Sequence, residues 1–362
     1  MLAALSVLAY FGLPRHPALI PWYDRHIFYP FQYLRGQVFD VFPFSLGDII
    51  YLVAGVGLLV TLIKWIAWLI QFRQYKDRLA LSFVSMINRV LFVYLFFIFG
   101  WGANYYQPTL NKYWALNEND SALQQLSKAE FRLKVKNELT AFDTFLVTQL
   151  NQYSAHYHAE TFKEINERAK AYYATCTDTR LKPHGLGIKP TFYGYFMERL
   201  AVEGYYNPFT GEGQENSTLP SFMMPFLVCH EMAHQAGIAA EGDANLMAYA
   251  VGTASDDSAF HYSCYLEIWL YTNRRLYYRD SATALRLEKQ LNKLTTAHLD
   301  TIEQLSRKYD NEYARYSSEL FDTYLKMQDQ KEGIRSYSNV AASAWQLEQR
   351  RMSGKRELIT IP

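Results

Sequence analysis

The sequence predicts a mostly α-helical protein in which N-terminal transmembrane helices precede an α-rich α+β domain with a small sheet. Three observations support this fold class: long apolar runs before residue 105, apolar residues at three- and four-residue spacing after it, and one later stretch rich in Gly and Pro. The chain has 362 residues, enough for two domains. We expect a membrane anchor over residues 1–104 and a second domain over residues 105–362.

Three apolar segments form the predicted anchor. The clearest extends from Ile49 to Ile70, is interrupted only by Lys64, and has the length that crosses ~30 Å of hydrocarbon. Phe83 to Ala103 is the second candidate, with Arg89 close enough to one end to snorkel. Leu2 to Leu13 is shorter and lacks the basic region of a signal peptide, so we interpret it as a first span. The sequence therefore predicts about three transmembrane helices.

The distribution of Lys and Arg predicts the orientation of the anchor. Five basic residues lie between the start of the second span and the middle of the third: Lys64, Arg73, Lys76, Arg78 and Arg89. Lys112 is the only basic residue in the twenty positions after Ala103. Because cytoplasmic loops carry the excess of Lys and Arg, we expect a multi-pass protein of the bacterial inner (cytoplasmic) membrane whose second domain faces the periplasm or exterior.

Charge balance and cysteine content limit the classes of binding partner and metal site that the protein can have. Thirty-six Lys and Arg balance thirty-five Asp and Glu, which removes the electrostatic argument for a nucleic-acid partner. Cys176, Cys229 and Cys264 form neither a disulfide framework nor a pair of Cys-x-x-Cys metal sites. We interpret Cys229 as a small buried helix residue. The lipid bilayer is the partner that composition indicates.

The second domain divides into three kinds of segment. Ser127 to Tyr172 has helical periodicity. Thr175 to Pro225 carries most of the Gly and Pro of this part and predicts turns with short strands. Asp280 to Asp329 is charged and helical in period, which is typical of a solvated helical hairpin.

The segment from Pro225 to Gly237 contains the motif His-Glu-x-x-His. Its proline suits the first turn of a helix and its glycine a helix end, so we predict one short helix. His230 and His234 are four residues apart and share a face, so their imidazoles converge on one point, as a tetrahedral zinc ion requires. Glu231 is placed to accept a proton from an activated water and pass it to a leaving group.

The next segment, Glu241-Gly-Asp-Ala-Asn245, resembles the Glu-x-x-Ala-Asn or Glu-x-x-Ala-Asp helix of the gluzincin-like metallopeptidases. The resemblance implies that Glu241 is the third zinc ligand and that Asn245 orients a histidine ring from one turn further on. Only six residues separate His234 from Glu241, whereas most gluzincins place the glutamate much further along. A tight turn through Gly237 would have to bring the Glu241 carboxylate close to the two histidines. Asp243 is the alternative ligand.

Two other classes of zinc protease fit less well. A metzincin would need a third histidine three residues after Gly237, and Ala240 stands there. The apolar run from Leu219 to Ala240 suggests a second class, the zinc proteases that cut inside the bilayer. That run contains both histidines, Glu231 and Gln235, which makes a poor lipid-exposed helix, and the Leu-Asp-Gly partner motif of such enzymes is absent. It remains a minor alternative.

Over nearly its full length the chain resembles a bacterial family of three-span membrane proteins known as domain of unknown function 3810, which is grouped with zincin-like peptidases. Besides the histidine motif, the stretches that carry the resemblance are Phe42–Tyr51, Gly102–Tyr105, Tyr206–Glu212, Tyr324–Lys326 and Gly333–Tyr337. The resemblance implies a zincin-like metallopeptidase fold and supplies no substrate.

Two further parts of a peptidase site have candidates. In related zincins a segment upstream of the metal helix binds extended substrate, so Tyr205 to Glu212 is either a cleft wall or a plain turn. An oxyanion also needs a hydrogen-bond donor, and Tyr337, Arg335 and His261 are available. Nothing in the sequence chooses among the three.

The leading hypothesis is therefore a membrane-anchored zinc metallopeptidase that hydrolyses a peptide or protein substrate outside the cytoplasmic membrane. Zinc would be bound by His230, His234 and Glu241, and Glu231 would act as general base and then acid. The alternative is a catalytically inactive membrane scaffold or binding protein that keeps the zincin fold. The intact Glu231 favours the enzyme, because a purely structural metal site does not need it.

Overall fold

The computed structural model describes residues 2–12, 16–116, 127–176, 187–327 and 340–354, and within the described part it is mostly helical with one three-stranded sheet. This agrees with the predicted mixture of many helices and a small sheet. The α-helices are α1 Leu2–Gly12, α2 Ile20–Tyr23, α3 Tyr29–Phe39, α4 Leu46–Ile70, α5 Phe72–Gly100, α6 Leu110–Tyr113, α7 Lys128–Ser154, α8 Phe162–Thr175, α9 Gly194–Leu200, α10 Met224–Gln235, α11 Glu241–Gly252, α12 Ser258–Tyr277, α13 Ser281–Glu288, α14 Lys293–Tyr309, α15 Glu312–Met327 and α16 Val340–Met352. The strands are β1 Ile188–Pro190, β2 Gly204–Tyr206 and β3 Gly213–Glu215.

Helices α4 and α5 are long and apolar enough to cross a membrane, with 25 and 29 residues. Only 11% of the most apolar window of each is buried inside the protein. The two helices meet at Gln71 and pack against each other, with the indole of Trp65 donating to the Ser82 hydroxyl at 2.9 Å. Helix α1 packs against α5 but has 11 residues, or about 16 Å of helix. Two of the three predicted spans thus have the required length, and the first span stays a prediction.

The start of α4 is bound to the sheet through a buried carboxylate. Ser45 caps the helix by accepting from the Asp48 N–H at 3.0 Å. The Glu212 carboxylate accepts from the N–H of Leu46 at 3.2 Å and of Gly47 at 2.7 Å, and from the Lys189 ammonium at 2.7 Å. A negative group at a helix N-terminus offsets the positive end of the helix dipole. This contact ties the first of the two long apolar helices to the part of the chain that contains the sheet.

A second contact ties α3 to the same region. The buried Arg35 guanidinium donates to the Pro208 carbonyl at 2.5 Å and to the Tyr206 hydroxyl at 3.2 Å. Neighbouring Gln32 donates to the Gly211 carbonyl at 3.2 Å. The predicted anchor and the predicted second domain therefore share buried hydrogen bonds.

The core of the second part is built from packed helices. Helix α7 begins at a capping box formed by Ser127 and Glu130 and packs along α12. Between them the buried Asp143 accepts from the Trp269 indole at 3.0 Å and from the Asn273 amide at 3.1 Å. The helical prediction for residues 127–172 is confirmed, with a break between α7 and α8.

The sheet has the order β1-β3-β2. Strand β1 pairs with β3 in parallel, with Ile188 opposite Gly213, and β2 pairs with β3 in antiparallel fashion, with Gly204 opposite Glu215. Turns and short strands were expected here, and the described part of residues 175–225 has them together with the additional helix α9. The sheet lies against α10, so β2 forms the edge of the sheet beside the histidine helix.

Helices α14 and α15 form the charged C-terminal pair. Of their residues only Thr295 and Leu325 are buried, as expected for a solvated segment. The predicted segment also contains α13, where Ala284 and Leu287 are buried in the core, so the described part of residues 280–329 forms three helices rather than a hairpin. The end of the predicted segment, at Asp329, lies outside the described residues.

Candidate metal centre

The predicted histidine helix is α10, and all twelve of its residues are buried. Pro225 lies in its first turn and the chain leaves it at Gly237, whose φ is +90°. Only glycine adopts this left-handed conformation without strain. A side chain at Gly237 would also collide with Phe28, since a Cβ there would lie 2.5 Å from the Phe28 ring.

A tight turn returns the chain from α10 to α11, as the short motif spacing requires. The Gly237 N–H donates to the His234 carbonyl at 3.0 Å, and the Ile238 N–H donates to the Ala233 carbonyl at 3.1 Å. Helix α11 then starts at Glu241. This turn brings the first residue of α11 back to the C-terminal half of α10.

His230, His234 and Glu241 form one cluster. The two Nε2 atoms are 3.1 Å apart, and the Glu241 Oε2 atom lies 3.2 Å from Nε2 of His230 and 3.4 Å from Nε2 of His234. Donor atoms that each lie about 2.05 Å from a tetrahedral zinc ion are roughly 3.3 Å apart. The three donor atoms therefore have the spacing of ligands that share one ion.

Hydrogen bonds on the far side of each ring orient the imidazoles. Nδ1 of His234 lies 2.7 Å from the Ile238 carbonyl, which can only accept, so Nδ1 donates and Nε2 keeps its lone pair. Nδ1 of His230 lies 2.7 Å from Oδ1 of Asn245. Asn245 thus occupies the orienting position that the family resemblance implied.

The residues present fit a bound cation. The two imidazole rings and the Glu241 carboxylate converge in a buried space, where the carboxylate needs a positive charge beside it, supplied by a proton on an imidazole or by a bound cation. Burial by itself lowers the pKa of His234, but the adjacent Glu241 carboxylate raises it to about 9. Burial opposes ionisation of Glu241, yet the two histidines hold its pKa well below its usual range. Two nitrogen donors and one oxygen donor form a ligand set that zinc accepts.

Glu231 lies beside the cluster without belonging to it. Its side chain is buried, and its Oε2 atom has no hydrogen-bond partner among the described residues. Burial raises the pKa of Glu231 to about 7. Edge strand β2 passes close by, because a Cβ on Gly204 would lie 2.6 Å from the Glu231 Oε1 atom. A carboxyl group with this pKa can both accept and release a proton near neutral pH.

Asp243, the alternative ligand, points elsewhere. Its Oδ2 atom accepts from the Leu110 N–H at 3.1 Å. Within the described residues, the group of three donors that could hold a metal consists of His230, His234 and Glu241.

The candidate oxyanion donors are not brought to the cluster by any described contact. His261 lies on α12, where Nε2 contacts the Ser255 carbonyl at 2.6 Å and the ring stacks on Tyr153 at 4.2 Å. Arg335 and Tyr337 lie outside the described residues, so their role stays a prediction. The candidate cleft wall from Tyr205 to Glu212 contains the end of β2, and the hydroxyl of Tyr205 contacts Asp48.

One tyrosine near the cluster was missed from the sequence. Tyr271 lies on α12 one turn after Glu267 and hydrogen-bonds to it, and both line a cavity of about 410 Å³. Burial raises the pKa of Tyr271 well above its usual range, and the charges of Glu267, Glu203 and Glu241 raise it further. The i, i+4 spacing of Glu267 and Tyr271 was the available signal. This spacing did not indicate that the charge of Glu241 influences the pKa of Tyr271.

The end of α5 touches the histidine helix directly. Trp101, the first residue after α5, donates from its indole to the His234 carbonyl at 3.2 Å. Its ring lies 6.1 Å from the His234 ring in an edge-to-face arrangement. The candidate metal centre therefore lies next to the end of an apolar helix.

Comparison with known proteins identifies a family. The model of a protein family of unknown function, DUF3810, matches residues 23–342. No curated protein and no solved structure matches the chain. The family match covers both apolar helices, the sheet and the histidine cluster. The chain therefore belongs to the DUF3810 family of proteins of unknown function.

Proposed function

We propose that this protein is a membrane-anchored zinc metallopeptidase of the gluzincin type that hydrolyses peptide bonds outside the cytoplasmic membrane. The observation that carries the proposal is the convergence of two Nε2 atoms and one carboxylate oxygen within 3.4 Å of one another, with Glu231 adjacent on the same helix. Three protein ligands leave a fourth position of a tetrahedral zinc ion open, which is typical of catalytic rather than structural zinc sites.

Each residue of the centre has a role in this reaction. His230, His234 and Glu241 would hold zinc, and Asn245 and the Ile238 carbonyl keep the two rings in the binding tautomer. Zinc at this position would supply a Lewis acid that polarises the peptide carbonyl and activates water. Glu231 takes the proton of the attacking water and delivers it to the leaving amine, a task that suits a carboxyl group with a pKa of about 7.

The position of β2 supports a peptide as substrate. It is an edge strand with Gly204 beside Glu231, and an edge strand has backbone N–H and C=O groups free to pair with an extended chain. A substrate segment bound along β2 would pass the general base.

The membrane part of the proposal rests on α4 and α5. Their length and exposed apolar surface support two spans, and α1 is the candidate for a third. Arg73, Lys76 and Arg78 lie in the first two turns of α5, close to the junction with α4 at Gln71. This basic cluster supports a cytoplasmic location for the junction, and the metal centre would then face the periplasm or exterior.

The test uses the full chain in lipid nanodiscs, with zinc content measured by mass spectrometry and turnover measured on a quenched-fluorescence peptide library. We expect about one zinc per chain in both the wild type and Glu231→Gln. Turnover in the variant should fall about 10²- to 10⁴-fold, the usual contribution of a general base.

The other outcomes separate the alternatives. Zinc without turnover in either protein favours the catalytically inactive scaffold. Failure of the wild type to bind zinc contradicts the metal centre and the peptidase together.

A further inference from the structure

Helix α9 carries an exposed aromatic face. Phe192, Tyr195 and Phe196 are 60%, 61% and 63% exposed, and Arg199 stacks over the Tyr195 ring at 4.7 Å. Their spacing of three and four residues places them along one side of the helix and its preceding turn. Contiguous exposed apolar side chains of this size mark a surface that meets another molecule or a membrane.

The aromatic face is continuous with the start of α4. Phe44 lies just before the Ser45 cap, and its ring is 6.1 Å from the Phe192 ring. Phe42 lies 5.8 Å from Phe44, and Val41 is 77% exposed. An exposed apolar surface therefore runs from the side of α4 across residues 41–44 to α9.

Hydrogen bonds hold α9 at the level of the first turn of α4. The Asp48 carboxylate accepts from the Phe192 N–H at 2.7 Å and from the Thr191 hydroxyl at 2.9 Å. The Tyr193 hydroxyl donates to the Asp48 carbonyl at 2.7 Å. With three bonds to a single residue of α4, the aromatic face cannot move independently of that helix.

The opposite side of α9 is already covered by protein. Met197 is buried, and Glu198 pairs with Lys308 of α14 at 3.4 Å. The aromatic side therefore faces away from the described protein.

We propose that the aromatic face of α9, together with residues 41–44, lies in the headgroup and upper acyl region of the bilayer that α4 and α5 cross. Aromatic rings are enriched at this depth, and a cation beside them can meet lipid phosphate. The proposed occupant is the lipid surface, because the face is continuous with the exposed apolar side of α4.

This contact fixes the height of the metal centre above the membrane. From α9 the chain runs directly into β2, whose Gly204 lies beside Glu231. On the other side Trp101 joins the end of α5 to His234. Two separate connections thus hold the centre at the bilayer surface. The inference rests on the proposed function for its consequence: the substrate is a polypeptide segment held at the same membrane surface.

The lipid contact can be measured with single fluorescent labels. The three native cysteines are buried, so an added surface cysteine can be labelled selectively with an environment-sensitive dye. Phe196→Cys tests the face, and Tyr195→Cys replaces it if the first variant does not fold. Tyr278→Cys, at a site 75% exposed at the end of α12, is the aqueous control. Leu59→Cys, at a site 58% exposed in the middle of α4, is the membrane control.

The labelled full chains are placed in phosphatidylcholine and phosphatidylglycerol nanodiscs. Quenching by a lipid with a nitroxide near its headgroup is compared with quenching by aqueous iodide. We expect a blue-shifted label at position 196 that the lipid quenches and iodide does not, with the reverse at position 278.

Iodide quenching at 196 equal to that at 278 overturns the proposal. Protection from both quenchers also overturns it and points to a second copy of the chain on this face. The Leu59→Cys control is tested with a second lipid whose nitroxide lies deep in the acyl chain, because residue 59 is near the middle of α4. If this label escapes the acyl-chain quencher, the proposed span itself is wrong.

A second arm tests the substrate class. One cleavable peptide is offered free in solution and attached to a lipid by a short flexible linker, at equal bulk concentration. We expect a higher kcat/KM for the lipid-attached form, and Phe192→Ser with Phe196→Ser should reduce that preference without changing cleavage of the free peptide. Equal rates for both forms contradict the membrane-held substrate, whereas cleavage of neither form counts against the peptidase.

Discussion

Two pairs of apolar helices in this protein have opposite environments. Helices α4 and α5 expose most of their side chains, with 11% of their most apolar windows buried. In α10 all twelve residues are buried, and in α11 ten of twelve. Apolar composition by itself therefore does not distinguish a helix buried in protein from one that exposes its apolar side chains, whereas helix length and internal polar groups differ between the two pairs.

The polar residues of α10 explain its position. Gln235 donates to the Gly211 carbonyl at 3.0 Å, and His230 and His234 have acceptors in Asn245 and Ile238. Lipid offers no such partners. Helix α10 also has only 12 residues, about 18 Å of helix, against the ~30 Å of a hydrocarbon core. These facts disfavour the intramembrane protease that the apolar run from Leu219 to Ala240 suggested.

The largest effect is expected on zinc affinity when the Glu241 carboxylate at the start of α11 is removed. Glu241→Ala should reduce zinc affinity by more than about 100-fold, because it removes a ligand, whereas loss of an orienting group costs about 10- to 100-fold. Asp243→Asn is the matched control, since this carboxylate is bonded to the Leu110 N–H. Competition with a chelator measures both. An equal loss in the control would mean that Asp243 belongs to the centre.

The two helix pairs should respond differently to the same truncation. Leu246→Ala in α11 removes a side chain that is 1% exposed and should lower the free energy of unfolding by about 2–5 kcal/mol. Leu59→Ala in α4, where the leucine is 58% exposed, should change it by less than about 0.5 kcal/mol. Thermal unfolding of both variants in the same nanodiscs makes the comparison. Similar losses would show that α4 is covered by protein rather than lipid.

Glycine substitutions provide a second contrast between the regions. A Cβ on Gly204 would lie 2.6 Å from the Glu231 carboxylate and 2.9 Å from the Gln214 carbonyl, whereas nothing lies within 4 Å at Gly55 of α4. We expect Gly204→Ala to reduce turnover about 100-fold through displacement of the base, with zinc retained. Gly55→Ala should keep full turnover. Loss of zinc from Gly204→Ala would instead indicate a general distortion of the centre.

The smallest predicted effect is the pH dependence of the free energy of unfolding that comes from Asp143, which is buried between α7 and α12. Burial raises the pKa of Asp143 from an ordinary value of 3.8 to about 7. Because the folded state holds the proton more tightly, the stabilisation is complete below about pH 4 and is lost as the pH rises through 7. The free energy of unfolding should fall by about 1 kcal/mol between pH 6 and pH 7. Asp143→Asn should show a flatter profile over this interval, and an unchanged slope would assign the titration to another group.

Much of the candidate site follows from local rules. The helix that carries His230 and His234, its end at Gly237 and the return to Glu241 depend on capping, backbone conformation and four-residue spacing. Each of these acts over a few residues, so the amino-acid sequence is enough to predict them. The apolar run of α4 was predicted for the same reason, whereas α5 begins at Phe72 instead of Phe83 and ends at Gly100 instead of Ala103. The roles of Arg335, Tyr337 and α1 stay predictions.

Only the tertiary structure decided which distant groups meet. The contacts of Trp101 with His234 and of Asp48 with the turn before α9 join residues far apart in the chain. No periodicity or motif encodes such pairs, because they depend on how whole helices pack. The sequence by itself determined the residue types of the candidate ligands and the presence of the apolar runs in α4 and α5. Packing decided that the candidate ligands lie at the end of an apolar helix, because the buried polar groups of α10 need hydrogen-bond partners that distant parts of the folded chain supply.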